Sequence, residues 1–340
     1  MVNKNKIFVF FLTVFSIATV FLSFSFFVKY EASVKKENFE QYKTLANFNI
    51  PLKAMEKALK ADIESAKDRG NVKFTSIIVL LASKYCGNWN EYKEQDMDEI
   101  INRLKNDESE NVIGQLYKNY SYFKLFYYSL LCEFVGSYKI SDEVKEGKNI
   151  KFQKKYGLKV YSPIPYGYSI SFCDDFDNEL NFAKQKGHFG NDIAVKKGTP
   201  FVAVESGRIS KCTQDKDMCG RIEVKSFDGK RTYCYYNCNK EKPFADGVKK
   251  GKVVRGGQIL GYVGANDCCK KGGAKILKCP YLHFAIKLKI KSENGAQREV
   301  FVDVYNILKF LEHNKAALNR VKDGFSEKYI FKDQIYENNE

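Results

Sequence analysis

Along the first third of the chain the apolar positions follow helical spacing. Leu52, Met55, Ala58, Leu59 and Ile63 recur every three or four residues, as on one face of an amphipathic helix. Ile77, Ile78, Leu80 and Leu81 form a denser run, which predicts a more deeply buried helix. Two further helices are expected over Asp96–Leu104 and Val112–Phe134; the Tyr and Phe of the second read as core. A polar run, DEVKEGKNIKFQKK, then interrupts the pattern and reads as a linker. Beyond Tyr156 the period shortens to two in FVAVESGRIS, RIEVKSF, RTYCYY, GQILGYVG and YLHFAIKLKI. Short runs divided by glycine-bearing turns predict an antiparallel β domain, and an amphipathic helix from Val304 to about Leu318 closes it.

The N-terminus has no such period. Ile7–Val28 is uncharged and apolar, with Lys4 and Lys6 before it and Lys29 after it. Its 22 residues span about 33 Å as a helix, enough to cross a ~30 Å hydrocarbon layer. Lys29-Tyr30-Glu31 follows where a cleavable leader would carry small residues, so an uncleaved anchor is expected, its short tail cytoplasmic. The predicted class is α+β. The predicted organisation is a tail (1–6), a transmembrane anchor (7–28), a helical region (31–140), a linker (141–155), a β domain (156–318) and a polar tail (319–340). This places the protein in the cell membrane as a single-pass chain with its later domains outside, and leaves the helical region available to a protein partner.

The chain has 340 residues, 56 Lys+Arg against 41 Asp+Glu, and a formal charge of +15. An extracytoplasmic basic protein meets an anionic wall or membrane surface, and no nucleic-acid motif accompanies the charge, so no nucleic-acid partner is expected. Eight of the ten cysteines lie between Cys173 and Cys279. Outside the membrane these predict disulfides, with Cys212 and Cys219 bracketing one loop and Cys234, Cys238, Cys268, Cys269 and Cys279 open to several pairings. A thiolate zinc cluster is the alternative, although no CxxC pair recurs at zinc-finger spacing.

There are only three histidines. His188 and Asp192 are four residues apart, on one face of an extended segment. In Tyr281-Leu282-His283-Phe284-Ala285-Ile286, one face is apolar and the other carries a phenol and an imidazole. Two His and one carboxylate make up a catalytic zinc set with a fourth position open. Four ordered blocks, GHFGNDIAVKKGTPFVAVESGRI, GKRTYCYYNCNKEKPF, VKKGKVVRGGQILGYVG and YLHFAIKL, resemble the lysostaphin/LytM-type zinc endopeptidases. DVYNILKFLEHNK resembles the closing segment of anchored Gram-positive members, though less distinctively.

That resemblance implies a mostly antiparallel sheet with a groove, one zinc held by His188, Asp192 and His283, and action on stem or cross-bridge peptides of peptidoglycan. It also marks two departures. Asn237 and Tyr281 stand where the family carries its two assisting histidines; a one-residue shift would substitute Tyr236 for Asn237. His313, in the closing helix, is expected at the surface. Without those histidines the resemblance implies either a slow endopeptidase or a relative that binds wall peptide or a partner without efficient turnover.

Overall fold

A computed structural model describes residues 48–141, 150–176, 188–214, 220–265, 279–291 and 297–334. The tail and anchor expected over 1–28 lie outside these. Among the described residues no helix is long and apolar enough to cross a membrane.

Helices α1 (Leu52–Lys67), α2 (Phe74–Lys84), α3 (Glu94–Lys105), α4 (Glu110–Gly114) and α5 (Tyr120–Leu131) build the helical region. α2 is its centre, because every residue from Phe74 to Ser83 is buried. Its polar side chains are satisfied internally: Thr75 donates to the Leu131 carbonyl (3.3 Å), Ser83 to Val79 (2.7 Å) and Ser76 to Glu110 (2.5 Å). The buried Asp62 of α1 accepts the Phe74 N–H at 2.8 Å, placing a carboxylate at the N-terminus of α2 where the helix dipole favours it.

The chain then departs from the expected boundaries. Strand β1 (Val135–Ser141) occupies the end of the predicted helical region, and β2 (Gln153–Leu158) begins inside the predicted linker. The two pair antiparallel, with Gly136 opposite Gly157. The charged residues that suggested a linker include Lys154 and Lys155, which occupy exposed positions on β2.

The β domain contains β3 (Asn191–Ala194), β4 (Pro200–Val202), β5 (Gly207–Thr213), β6 (Gly220–Ser226), β7 (Arg231–Cys238), β8 (Val253–Val254), β9 (Ile259–Tyr262), β10 (Tyr281–Lys291) and β11 (Gln297–Val302). One antiparallel sheet runs β11-β10-β7-β6-β5-β8, with β3 also on β10. The alternation read from YLHFAIKLKI is realised: Leu282, Phe284, Ile286, Leu288 and Ile290 are buried, while Tyr281, His283 and Lys287 are partly open.

Helix α6 (Tyr305–Leu311) is shorter than expected, and the predicted polar tail folds as β12 (Leu318–Val321), β13 (Gly324–Glu327) and β14 (Ile330–Asp333). β14 pairs with β1. Phe331 of β14 packs in a core with Tyr161, Val202, Ile259 and Ala316, while Lys332 is only partly buried.

Among the described residues no disulfide forms, and three of the cysteines expected to pair lie outside them. Cys86, Cys132, Cys173, Cys212, Cys234, Cys238 and Cys279 are all free thiols; Cys219, Cys268 and Cys269 lie outside the described residues. Cys212 Sγ lies 3.9 Å from the Val248 carbonyl. Cys234 and Cys238 are buried on β7, where they serve as small apolar side chains.

Candidate metal centre

Antiparallel pairing of β3 with β10 sets His283 directly opposite Asp192. His188 enters from the segment just before β3. Gly190, between them, sits at φ +143°, and a Cβ there would lie 2.6 Å from the Phe284 carbonyl and 2.8 Å from His283 Nε2. Only glycine lets the backbone pass this close beneath the imidazole.

Three donor atoms converge. His188 Nε2 lies 3.1 Å from His283 Nδ1 and 3.4 Å from Asp192 Oδ1, and His283 Nδ1 lies 2.8 Å from Asp192 Oδ1. Donors 2.0–2.1 Å from a tetrahedral zinc would stand roughly 3.3 Å apart, so the set fits such an ion with little rearrangement. Among the described residues this is the one group of three His, Cys, Asp or Glu with metal-binding geometry, and no cysteine belongs to it. The expected trio is therefore brought together, whereas the thiolate alternative has no counterpart here.

The electrostatics match a cation site. Burial opposes charge on His188, but hydrogen bonds to Asp175 and Asp192 outweigh it and push its pKa up to about 10. For Asp192, burial favours the neutral acid, yet its bonds to both imidazoles hold the carboxyl below its ordinary value. The pocket thus stabilises positive charge beside an ionised carboxylate.

The residue types alone did not reveal what lies behind His188. Its Nδ1 faces Asp175, 3.2 Å from the main-chain oxygen and 3.4 Å from Oδ2. Asn191 donates to Asp175 Oδ1 at 2.6 Å and to the Cys173 carbonyl at 2.9 Å. This pins the far nitrogen of His188 and leaves Nε2 for the metal, as outer partners of ligating histidines generally do. A bridge between Ser171 and Ala194 brings the segment carrying Asp175 alongside β3. That pairing joins positions distant in sequence and carries no local motif.

Asn237 and Tyr281 also meet, through the main chain. Asn237 Nδ2 donates to the Tyr281 carbonyl at 2.6 Å. Against β6, three steps of β7 from Tyr235 to Cys238 match two from Ile222 to Gly220, and Asn237 takes φ +66° within that bulge. Asparagine tolerates this left-handed conformation, and the bulge turns its amide toward the start of β10. Tyr236 lies opposite His283, its ring stacked on the imidazole with centroids 5.6 Å apart and planes at 8°. Its hydroxyl donates to Glu223 at 3.1 Å, and burial raises its pKa, so the phenol stays protonated. His313 is exposed and pairs with Glu56 at 2.8 Å, as expected of a surface residue.

Residues 186–296 match the model of Peptidase family M23, a span that contains all five of His188, Asp192, Asn237, Tyr281 and His283. The chain carries an M23 peptidase domain. Outside that domain the match gives no account of the helices. The L-Ala–D-Glu endopeptidase of Bacillus subtilis is 26% identical over 125 residues, 36% of this chain and 36% of that protein, so the match spans about a third of the relative's length. Among solved structures, LytM from Ruminococcus gnavus is 15% identical, with 80% of this chain and 91% of that chain covered and a TM-score of 0.48. The catalytic domain of lysostaphin from Staphylococcus simulans is 24% identical, with 42% and 92% covered and a TM-score of 0.30.

Proposed function

We propose that this protein is a zinc-dependent, endopeptidase-like protein directed at the peptides of peptidoglycan, anchored to the membrane by residues 7–28. The observation that carries the zinc reading is the convergence of His188 Nε2, Asp192 Oδ1 and His283 Nδ1 in one set, with His188 and Asp192 buried. These residues would hold the ion, and zinc supplies Lewis acidity to a peptide carbonyl when bound. Asp175 and Asn191 fix the orientation of His188. The Asn237 amide and Tyr281 offer hydrogen-bond donors near the carbonyl, and neither is a base at neutral pH.

A second reading has an observation of its own. The Asn237 amide is engaged with the Tyr281 main chain, and the ring stacked on His283 is a protonated phenol. General acid–base assistance is typically worth ~10²–10⁴-fold, and its loss favours a domain that binds wall peptide and turns it over slowly, or serves as a binding module.

Metal analysis of the full chain should find about one zinc per molecule, reduced in His283→Ala. Undiminished zinc in that variant would overturn the assignment. Muropeptide release with and without zinc then separates hydrolysis from binding: metal-dependent release supports the first reading, and saturable muropeptide binding without release supports the second.

A further inference from the structure

The two imidazoles of the metal set belong to different segments, and a series of contacts runs from one to the other along the face of the sheet that carries them. We infer that this series acts as a clamp: Tyr236, Glu223, Lys287, Phe301 and Phe189 are positioning residues that hold His188 and His283 at their donor spacing, with Glu223 at the centre. This rests on the zinc reading and deepens it by naming what keeps the ligands in place.

The clamp follows from strand register. On β10, His283, Ala285 and Lys287 alternate onto one face. His283 lies opposite Tyr236 and Ala285 opposite Cys234 of β7, Cys234 lies opposite Glu223 of β6, and Lys287 lies opposite Phe301 of β11. Directly paired residues share a face, so these side chains stand on the side of the metal set. Ala285 and Cys234 are small and fully buried, which leaves room for the longer side chains to converge. Glu223 Oε1 accepts from the Tyr236 hydroxyl at 3.1 Å and from Lys287 Nζ at 3.2 Å. The Lys287 and Glu223 side chains are only 20% and 13% exposed, so their attraction is screened less than that of a surface pair.

One end of the clamp is the Tyr236 ring, parallel to the His283 imidazole. With its backbone in the sheet and its hydroxyl tethered to Glu223, the ring is held at both ends and walls one side of the imidazole. The other end reaches His188. Lys287 Nζ lies 5.6 Å from the Phe301 ring centroid, and Phe301 stacks on Phe189 with centroids 5.2 Å apart and planes at 17°. Phe189 directly follows His188, and Gly190 comes next at φ +143°. A glycine beside a ligand is a pivot with wide conformational freedom. The Phe189 stack anchors the segment between that pivot and His188.

Asp175 and the clamp divide the task. Asp175 faces Nδ1 of His188 from behind, whereas the clamp reaches both histidines. Ligands already held in position lose less freedom on binding an ion, and changes to such outer partners typically cost about 10–100-fold in metal affinity.

The test is zinc affinity and zinc release of the full chain, read by competition with a chromophoric chelator. Glu223→Ala, Tyr236→Leu and Phe189→Ala should each bind zinc about tenfold or more weakly and release it faster. Glu223→Gln keeps an acceptor for both donors and should stay within about threefold of the starting chain. Because one network joins them, Glu223→Ala with Tyr236→Leu should lose little beyond the larger single loss; full additivity would place the two in separate networks and overturn the clamp. Leu288→Ala is the control: Leu288 is fully buried on the opposite face of β10, and its truncation lowers stability while leaving every clamp contact in place, so zinc affinity should hold. A loss there as large as in Glu223→Ala would assign the effect to general loosening and overturn the proposal, as would affinity within about threefold of the starting chain in all three disruptive variants. If the starting chain binds no zinc, or binds it equally after His283→Ala, it is the zinc reading that has failed.

Discussion

Asp303 shows how far the metal set's surroundings are tuned by burial. The carboxyl is buried, accepts the Tyr305 N–H at 2.9 Å and faces the carboxylates of Asp174 and Asp175. Burial raises its pKa most, the Tyr305 bond opposes this, and the two like charges add to the rise, bringing it up to about 6. The folded state therefore binds a proton between about pH 4 and 6 that the unfolded chain releases, so stability falls as pH rises through that window. The full effect is up to about 3 kcal/mol above pH 6. In metal-free protein, Asp303→Asn should flatten the dependence of Tm on pH between 4 and 6 and raise Tm at pH 7. An unchanged slope would show that the folded and unfolded carboxyls titrate alike. None of this was legible in the sequence: Asp303 is 128 residues from Asp175, and only the fold makes them neighbours. His188, Asp192 and His283 were singled out because two short motifs carry all three and the blocks around them resemble the lysostaphin/LytM-type endopeptidases; the strand period alone does not account for His188, which precedes β3.

At the scale of elements, the bulge in β7 decides where the Asn237 side chain goes. An unbroken strand would leave Asn237 on the face opposite Tyr236; the extra residue re-aims it to the carbonyl at the start of β10. The ambiguity between Asn237 and Tyr236 in the sequence was thus an ambiguity about a bulge, which alternation cannot register. Both matter, one as a donor at the end of the ladder and the other as the ring on His283. Histidine, like asparagine, is among the residues enriched at positive φ, so Asn237→His fits the φ +66° position. Paired with Tyr281→His, it should place an imidazole at each of the two positions that the resemblance marks as assisting, beside an intact metal set. We expect at least ~10²-fold faster release of muropeptides from the double variant, with less from either single change. On a His188→Ala background the gain should vanish. A folded, zinc-loaded double variant no faster than the starting chain on several cross-link types would favour the binding reading.

For the molecule as a whole, the sequence divided what the fold joins. Helical and strand periods separated two kinds of structure, but periodicity says nothing about which faces meet: residues 153–155 of the expected linker lie in β2 and residues 330–333 of the expected tail form β14. The junction is made of contacts distant in sequence. Phe74 of α2 stacks on Phe310 of α6 with centroids 5.6 Å apart, and the Tyr156 hydroxyl of β2 donates to Asp62 of α1 at 2.7 Å. Arg231 is the centre of a third contact. Fully buried at the start of β7, it donates to Glu205 from Nε at 2.9 Å and Nη2 at 3.0 Å, and from Nη1 to the Ser129 carbonyl of α5 at 2.6 Å. Tyr233 donates to the same Glu205 at 2.5 Å, and Asp228 lies 3.2 Å from Nη2. Burial disfavours the guanidinium charge, and the surrounding carboxylates more than restore it, so it stays protonated. Removing one member of such a buried pair strands the other and typically costs about 3–5 kcal/mol. Arg231→Ala should therefore lower thermal stability by that order and loosen α5 from the sheet, seen as faster amide exchange at both. Arg231→Met with Glu205→Gln removes both buried charges, keeps an acceptor for the Tyr233 hydroxyl and leaves the partly exposed Asp228 its Ser226 and Lys230 partners, so it should recover part of the loss, separating the cost of a stranded carboxylate from that of a missing contact. Thermal stability of Arg231→Ala within about 1 kcal/mol of the starting chain, a surface-pair value, would mean that this junction does not depend on Arg231.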